Sequence, residues 1–206
     1  MEVQTCLDQN EWISAINRWL ADRKRRYTAR RLFVPAGQTP VPLYAQWEKD
    51  HPEFLRDLHL LQVDEVLRRP PVFRAFLAEH LPSYIGQIEF IEQADGGADL
   101  AILGLGLNGH VAFHEPGLPA SFFSGCVLLQ DSTCHTLGMS SPAWGVTYGL
   151  GAFLRTRAVA LIVRGNGKRA VVERLLSGDR SLPATYLLAH ADVTLFVDFV
   201  VKHANR

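Results

Sequence analysis

Short apolar runs rich in leucine and β-branched residues return throughout this chain, and segments of helical periodicity lie between several of them. The runs are RLFVP (31–35), HLLQV (59–63), QIEFI (87–91), DLAILG (99–104), CVLLQ (126–130), WGVTYG (144–149), AVALIV (158–163) and VTLFV (193–197). Strands that are continuously apolar must be covered on both sides, and helices between them supply the crossovers that a parallel sheet needs. The expected fold is therefore α/β: a doubly wound, mostly parallel, Rossmann-like sheet flanked by helices on both faces. Helical stripes are formed by Trp12, Ile13, Ile16, Trp19 and Leu20, followed by the basic cluster Arg23 to Arg26 in the last turn. Others are formed by Val72, Phe73, Phe76, Leu77 and Leu81, and by Ala170, Val171, Leu175 and Leu176. With 206 residues, no repeat, no low-complexity tract and no linker, one domain is expected over residues 1–206.

Lysine plus arginine and aspartate plus glutamate are both 21, so the formal net charge is +0 and no bulk attraction to nucleic acid or an anionic membrane is implied. Any anionic ligand must be held by local charges. Three cysteines, Cys6, Cys126 and Cys134, lack metal or redox spacing, and a chain of this length does not need disulfide staples, which points to a reducing, cytoplasmic setting. The opening MEVQTCLDQNEW has no apolar run of the signal-peptide kind, and no stretch reaches about 20 apolar residues.

Ligands of doubly wound sheets bind beyond the carboxyl ends of the strands, which directs attention to four segments. In Pro35-Ala36-Gly37-Gln38-Thr39-Pro40 a glycine turn opening a helix, with Thr39 as N-cap and Pro40 in the first turn, exposes backbone N–H groups that suit a phosphate, although glycine is common in such turns for conformational reasons alone. Asp64-Glu65 follows HLLQV and either faces a ligand or caps a helix. Gly104-Leu-Gly106-Leu-Asn108-Gly109-His110 reads as GxGxxG after a strand, with Asp131 ending a later strand at the distance a dinucleotide site requires. Pro116, Gly117 and Pro119 interrupt the crossover helix that such a site needs. His110 and His114, four apart, lack the further ligands of a metal site. Acid–base chemistry by His110 beside Glu115 is the remaining functional reading, against a purely structural histidine under the glycine loop. Finally, Arg164-Gly165-Asn166-Gly167-Lys168 places a lysine in a glycine-flanked helix start where it can reach an anion.

Taken in order, these segments resemble the glucosamine-6-phosphate deaminase family, within the superfamily that also holds 6-phosphogluconolactonases. GLGLNGHVAFHEPG (104–117) is similar to the deaminase signature, and PAGQTP, VDE, GVTYGLGAFL, GNGK and PATYLLAHADVTLFVD match further family segments, so the resemblance covers about residues 31–198. It implies that Asp64 is the base moving a proton between C2 and C1 of the opened sugar. His110 would shuttle the proton of ring opening, Glu115 would orient it, and Asn108 occupies a position held by aspartate or asparagine. Gly37, Gln38, Thr39 and Lys168 would hold the 6-phosphate, and Gly106 and Gly109 would also bind the substrate. No cofactor and no metal is implied. The expected partner is a small-molecule sugar phosphate, with no nucleic acid or membrane, and a homo-oligomer is compatible with the chain.

The implied reaction is isomerisation with deamination of an amino-sugar 6-phosphate, of the hydrolase type. Two alternatives stand beside it: a 6-phosphogluconolactonase with His110 activating water, and a catalytically silent sugar-phosphate binder. Glu115-Pro116 favours the deaminase side, because lactonases typically continue with small residues and Phe-Pro. Two departures matter: His114 replaces the family's asparagine, and residues 93–154 contain no lysine or arginine to supply the phosphate-binding arginine of a lid. Arg68, Arg69 and Arg164 are the candidate replacements.

Overall fold

The computed structural model describes residues 1–68, 70–92 and 96–201. Seven strands form one sheet in which every pairing is parallel: β1 (Glu2–Thr5), β2 (Arg31–Val34), β3 (His59–Gln62), β5 (Ile88–Glu89), β6 (Leu100–Gly104), β9 (Ala158–Val163) and β10 (Val193–Val197). Their spatial order is β1-β10-β9-β6-β2-β3-β5. From β2 the chain builds outward through β3 to β5, then returns to β6 on the other side of β2 and builds outward again. The direction of winding thus reverses between β2 and β6, where a crevice opens beyond the strand ends.

The period-two geometry of a strand explains how the sheet is covered on both faces. Ala158, Ala160 and Ile162 of β9 join one core, packed by Trp12, Ile16 and Leu20 of α1 (Gln9–Tyr27) and by Leu43 and Trp47 of α2 (Val41–Asp50). Val159, Leu161 and Val163 point the other way, toward Phe153 of α5 (Leu150–Phe153) and Val172 and Leu175 of α6 (Arg169–Leu176). All five apolar residues of the predicted α1 stripe are buried. At the start of this helix Asp8 accepts from the Glu11 backbone N–H at 2.8 Å, and Lys24, Arg25 and Arg26 sit in the last turn, where cations complement the helix dipole.

Four expectations are corrected. CVLLQ and WGVTYG do not extend the parallel sheet: β7 (Ser124–Leu128) and β8 (Trp144–Tyr148) pair antiparallel, and β8 pairs antiparallel with β4 (Asp64–Val66), giving a separate three-stranded sheet. Asp64 and Glu65 are accordingly strand residues and not a loop. Thr39 does not cap α2, whose first helical residue is Val41, with Pro40 at the cap position and no side-chain cap bond. Asp131 ends no strand; it opens α4 (Asp131–Thr136). A third core, with Val66, Phe73, Phe113 and Val127, fills the space beneath the small sheet and α3 (Val72–His80).

Candidate active site

The loops after β2 and β6 do not stand open by accident. Tyr44 of α2, fully buried, donates its hydroxyl to the Pro35 carbonyl at 2.6 Å and pins the start of the 35–40 loop. Within that loop Gly37 has φ +98, a left-handed value that glycine adopts freely, and a Cβ there would meet no atom within 4 Å, so the demand is on conformation and not on space. No helix follows the glycines of 104–109; the chain runs through turns, an isolated bridge between Val111 and His114 and then β7 before it reaches α4. A dinucleotide crossover is therefore missing from the segment that resembles its motif.

Between these loops lies a cavity of about 600 Å³, lined by Gly37, Gln38 and Thr39 from the first, Gly106, Asn108 and His110 from the second, Asp64 from β4 and Lys168. Phe73 and Phe113, with ring centroids 5.6 Å apart, form an apolar wall, and Ser132, Thr133 and Thr136 of α4, with Leu137 just after it, close another side. All four segments singled out in the sequence meet here. Lys168, on the short 3₁₀ turn Asn166–Lys168, donates its ammonium to the Leu105 carbonyl at 2.6 Å, and burial pushes its pKa below the ordinary lysine value.

Asp64 and Glu65, adjacent in sequence, have separate tasks. The Glu65 carboxylate accepts from the backbone N–H groups of Val66 (2.8 Å), Val72 (3.0 Å), Phe73 (3.0 Å) and Arg74 (2.7 Å), so it caps the N-terminus of α3, for which Pro71 at the cap position offers no side-chain acceptor. Gln62, fully buried, donates to the Asp64 carbonyl at 2.8 Å and to Glu65 Oε2 at 3.2 Å. Asp64 is left facing the cavity. Burial, aided by the neighbouring Glu65 charge, pushes its carboxyl from 3.8 up to about 8.

The imidazole of His110 lines the same cavity. Its Nδ1 lies 3.4 Å from Glu115 Oε2, an ion-pair distance at which the two groups are not aligned as a hydrogen bond. A Cβ on Gly106 would stand 2.4–2.6 Å from three atoms of this ring, so only glycine permits the ring to lie where it does. Glu115 does not reach the cavity surface; it sits beneath His110, 3% exposed. Asn108 Nδ2 donates to Glu115 Oε2 at 2.9 Å and Thr133 Oγ1 to Oε1 at 2.5 Å. Burial alone would raise the Glu115 pKa, but the adjacent His110 ring and the hydrogen bonds from Thr133 and Asn108 outweigh it and hold the carboxyl below its ordinary value. Asn108 Oδ1 also accepts from the His110 backbone N–H at 3.2 Å, closing the turn.

Gly109, with φ +82, lies outside the cavity wall. Its carbonyl accepts from Ala184 N at 2.9 Å, and a Cβ there would meet Leu182 at 2.6 Å. His114 is also turned away: 1% exposed, it accepts from the Leu150 backbone N–H at Nδ1 (3.1 Å) and packs against Phe122, and burial lowers its pKa. The two histidines thus have different neighbours and do not form a pair. Of the candidate arginines, Arg164 is held by Gln9 (2.8 Å), Asp198 (3.5 Å) and the Trp12 ring, Arg68 borders a different cavity beside Glu65 and Glu92, and Arg69 lies outside the described residues. Among the described residues Lys168 is the sole cation lining the cavity. Gln130 and Thr133 give no signal in the sequence, because their contacts with Asn108 and Glu115 join segments that meet only in the fold.

An acid and an imidazole thus line one cavity at the winding reversal of a doubly wound parallel sheet, the place where such sheets bind ligands. The family model of glucosamine-6-phosphate isomerases/6-phosphogluconolactonase matches residues 74–196, and the chain belongs to this family. A glucosamine-6-phosphate deaminase of Clostridium perfringens is 38% identical over 111 residues, covering 50% of this chain and 46% of that protein. The chain thus spans about half the length of the Clostridium relatives it matches. A Bacillus cereus glucosamine-6-phosphate deaminase is 29% identical over 197 residues, covering 81% of this chain and 75% of its own length. A solved monomeric glucosamine-6-phosphate deaminase superposes with TM-score 0.82 at 22% identity, covering 96% of this chain and 97% of that one, and the 6-phosphogluconolactonase of Thermotoga maritima with 0.72 at 18%, covering 95% and 98%. These structures share the fold.

Proposed function

We propose that the protein isomerises an amino-sugar 6-phosphate, glucosamine 6-phosphate or galactosamine 6-phosphate, and releases its amine as ammonia, a deamination that consumes water. The observation that carries this reading is that the Asp64 carboxyl and the His110 ring open onto one cavity whose far loop offers backbone donors at Gly37, Gln38 and Thr39, with Lys168 alongside. His110 takes the proton of the anomeric hydroxyl and delivers it to the ring oxygen, opening the sugar. Ionised Asp64 removes the proton from C2 and returns it at C1, which converts the C2 amine to an imine. Water adds to that imine, and ketose phosphate and ammonia depart, so no redox cofactor is required. Glu115, held ionised, stabilises the imidazolium that forms when His110 accepts its proton.

The test is release of ammonia and ketose from the two hexosamine phosphates, with Asp64→Asn as control; turnover unchanged by that substitution removes Asp64 from the role given to it. The runner-up is lactone hydrolysis with His110 activating water, favoured by the lactonase folds that superpose on this chain. Acid release from 6-phosphogluconolactone that survives the loss of Asp64 would select it. A silent binder is suggested by His114 and by the missing lid cation; His114 packs away from the cavity, whereas Lys168 is the only lysine or arginine among the described residues lining it. Ligand-dependent thermal stabilisation with no product would support it.

The proposed partner is the sugar phosphate itself, and the proposed location the cytoplasm. The three cysteines are free, and among the described residues no helix is long and apolar enough to cross a membrane.

A further inference from the structure

The short helix α4 touches the acid–base couple at two points that the proposed reaction does not use. Thr133, 5% exposed, donates to Glu115 Oε1 at 2.5 Å, and Gln130, just before the helix, accepts from the same Asn108 amide that holds Glu115 Oε2, at 3.0 Å. Gln130 Nε2 also lies 3.5 Å from the Pro116 carbonyl. The same helix presents Ser132 and Thr136 to the cavity, as does Leu137 just after it.

We propose that Thr133 is a positioning residue for the acid–base couple: its hydroxyl fixes the rotation of the Glu115 carboxylate so that Oε2 faces His110, and it ties that rotation to the placement of α4 over the cavity. The argument is one of counting donors. A buried carboxylate has two oxygens to satisfy; Oε2 is shared by Asn108 and His110, and Thr133 is the side-chain donor that Oε1 receives. Without it, Oε1 becomes a buried acceptor, and the carboxylate gains by turning or by taking up a proton. The ionisable groups around Glu115 are His110 and its chain neighbour His114, with Asp64 and Lys168 elsewhere along the cavity wall, while Asp131 at the start of α4 is exposed and bonded to Ser141. None of them can replace the hydroxyl at Oε1.

The role of the couple rests on the amino-sugar phosphate reading, but the hydrogen bond can be tested without it. Protein carrying ¹³C-labelled glutamate carboxyl groups is titrated by NMR, with Glu115→Gln assigning the signal, for the wild type, Thr133→Val and Thr133→Ser. In Thr133→Val the Glu115 pKa is expected to rise by about one pH unit, the worth of one bond to a charged group, and in Thr133→Ser to stay close to wild type. Thr133→Ala answers the same question should valine disturb the packing. An unmoved Glu115 titration in the valine or alanine variant, or a serine variant shifted as far as valine, overturns the proposal. On hexosamine phosphate, kcat is expected to fall about tenfold in the valine variant and recover in the serine one, with KM changing little. A carboxyl shift as expected in a protein with no hexosamine-phosphate turnover would uphold the positioning and defeat the amino-sugar reading.

Discussion

Replacing Asp64 by asparagine should make the protein more resistant to unfolding as pH rises, while removing its activity. The folded-state carboxyl sits near 8 because it is buried and lies beside Glu65, whereas in the unfolded chain it returns to 3.8. Between these two values the folded protein holds a proton that the unfolded chain releases, so stability falls as pH rises through that window. The loss is roughly 1 kcal/mol or a little more per pH unit, which from about pH 5 to about pH 7 amounts to roughly 2–3 kcal/mol. Asparagine does not titrate, and any constant effect of the amide cancels when the two pH values are compared. Urea denaturation of both proteins at both pH values measures this difference directly. The same carboxyl must be ionised to act as a base, so wild-type kcat/KM on hexosamine phosphate is expected to climb about tenfold per unit below about pH 8 and then level. A stability gap between variant and wild type that stays constant to within about 0.5 kcal/mol across the two pH values would refute the raised carboxyl and the buried base with it.

Three further outcomes follow from the site. Glu65→Ala leaves the amide groups at the start of α3 without their acceptor and should lower stability by about 2–4 kcal/mol in urea denaturation; a loss below about 0.5 kcal/mol would mean that water caps the helix as well. Gly106→Ala places a methyl into the His110 ring position and should reduce kcat at least about tenfold with an unchanged circular dichroism spectrum, whereas wild-type kcat would show that the ring has another workable place. Lys168→Met should raise KM about tenfold or more for a phosphorylated sugar and leave the unphosphorylated sugar unaffected; equal effects on both would assign the lysine to holding the Leu105 carbonyl.

Much of the large sheet could be read from the chain because its signals are local. AVALIV is apolar at every position since β9 is buried on both faces, and the stripe on α1 needs only helical spacing to declare its inner side. The loops at 35–40 and 104–110 were legible because a turn of this kind must carry glycine. The polar edge strand β1, EVQT, gave no comparable signal, as a single neighbour and a solvated margin ask little of composition. CVLLQ and WGVTYG could be recognised as strands, but nothing in them states a partner or a direction, and their antiparallel pairing depends on Asp64–Val66 lying about eighty residues earlier. The division of labour between Asp64 and Glu65 was equally hidden, since it turns on amides at Val72 to Arg74. Thr133 and Gln130 reach Glu115 and Asn108 across some twenty residues of chain that include β7, so no local pattern announces the contact.

The acid and the imidazole are mounted on different sheets, and the joint between them passes through Thr147. This residue is the strand partner of Asp64 on the small sheet, and its hydroxyl accepts from the Phe113 backbone N–H, at 3.1 Å, on the segment that follows His110. Next to it, Gly145 abuts the Phe113 ring so closely that a Cβ would stand 2.6 Å away. The separation of the two groups is therefore a dimension of the scaffold, like the jaw setting of a caliper. Changes in β8, at positions no substrate would touch, could widen or narrow it and so retune which sugar fits.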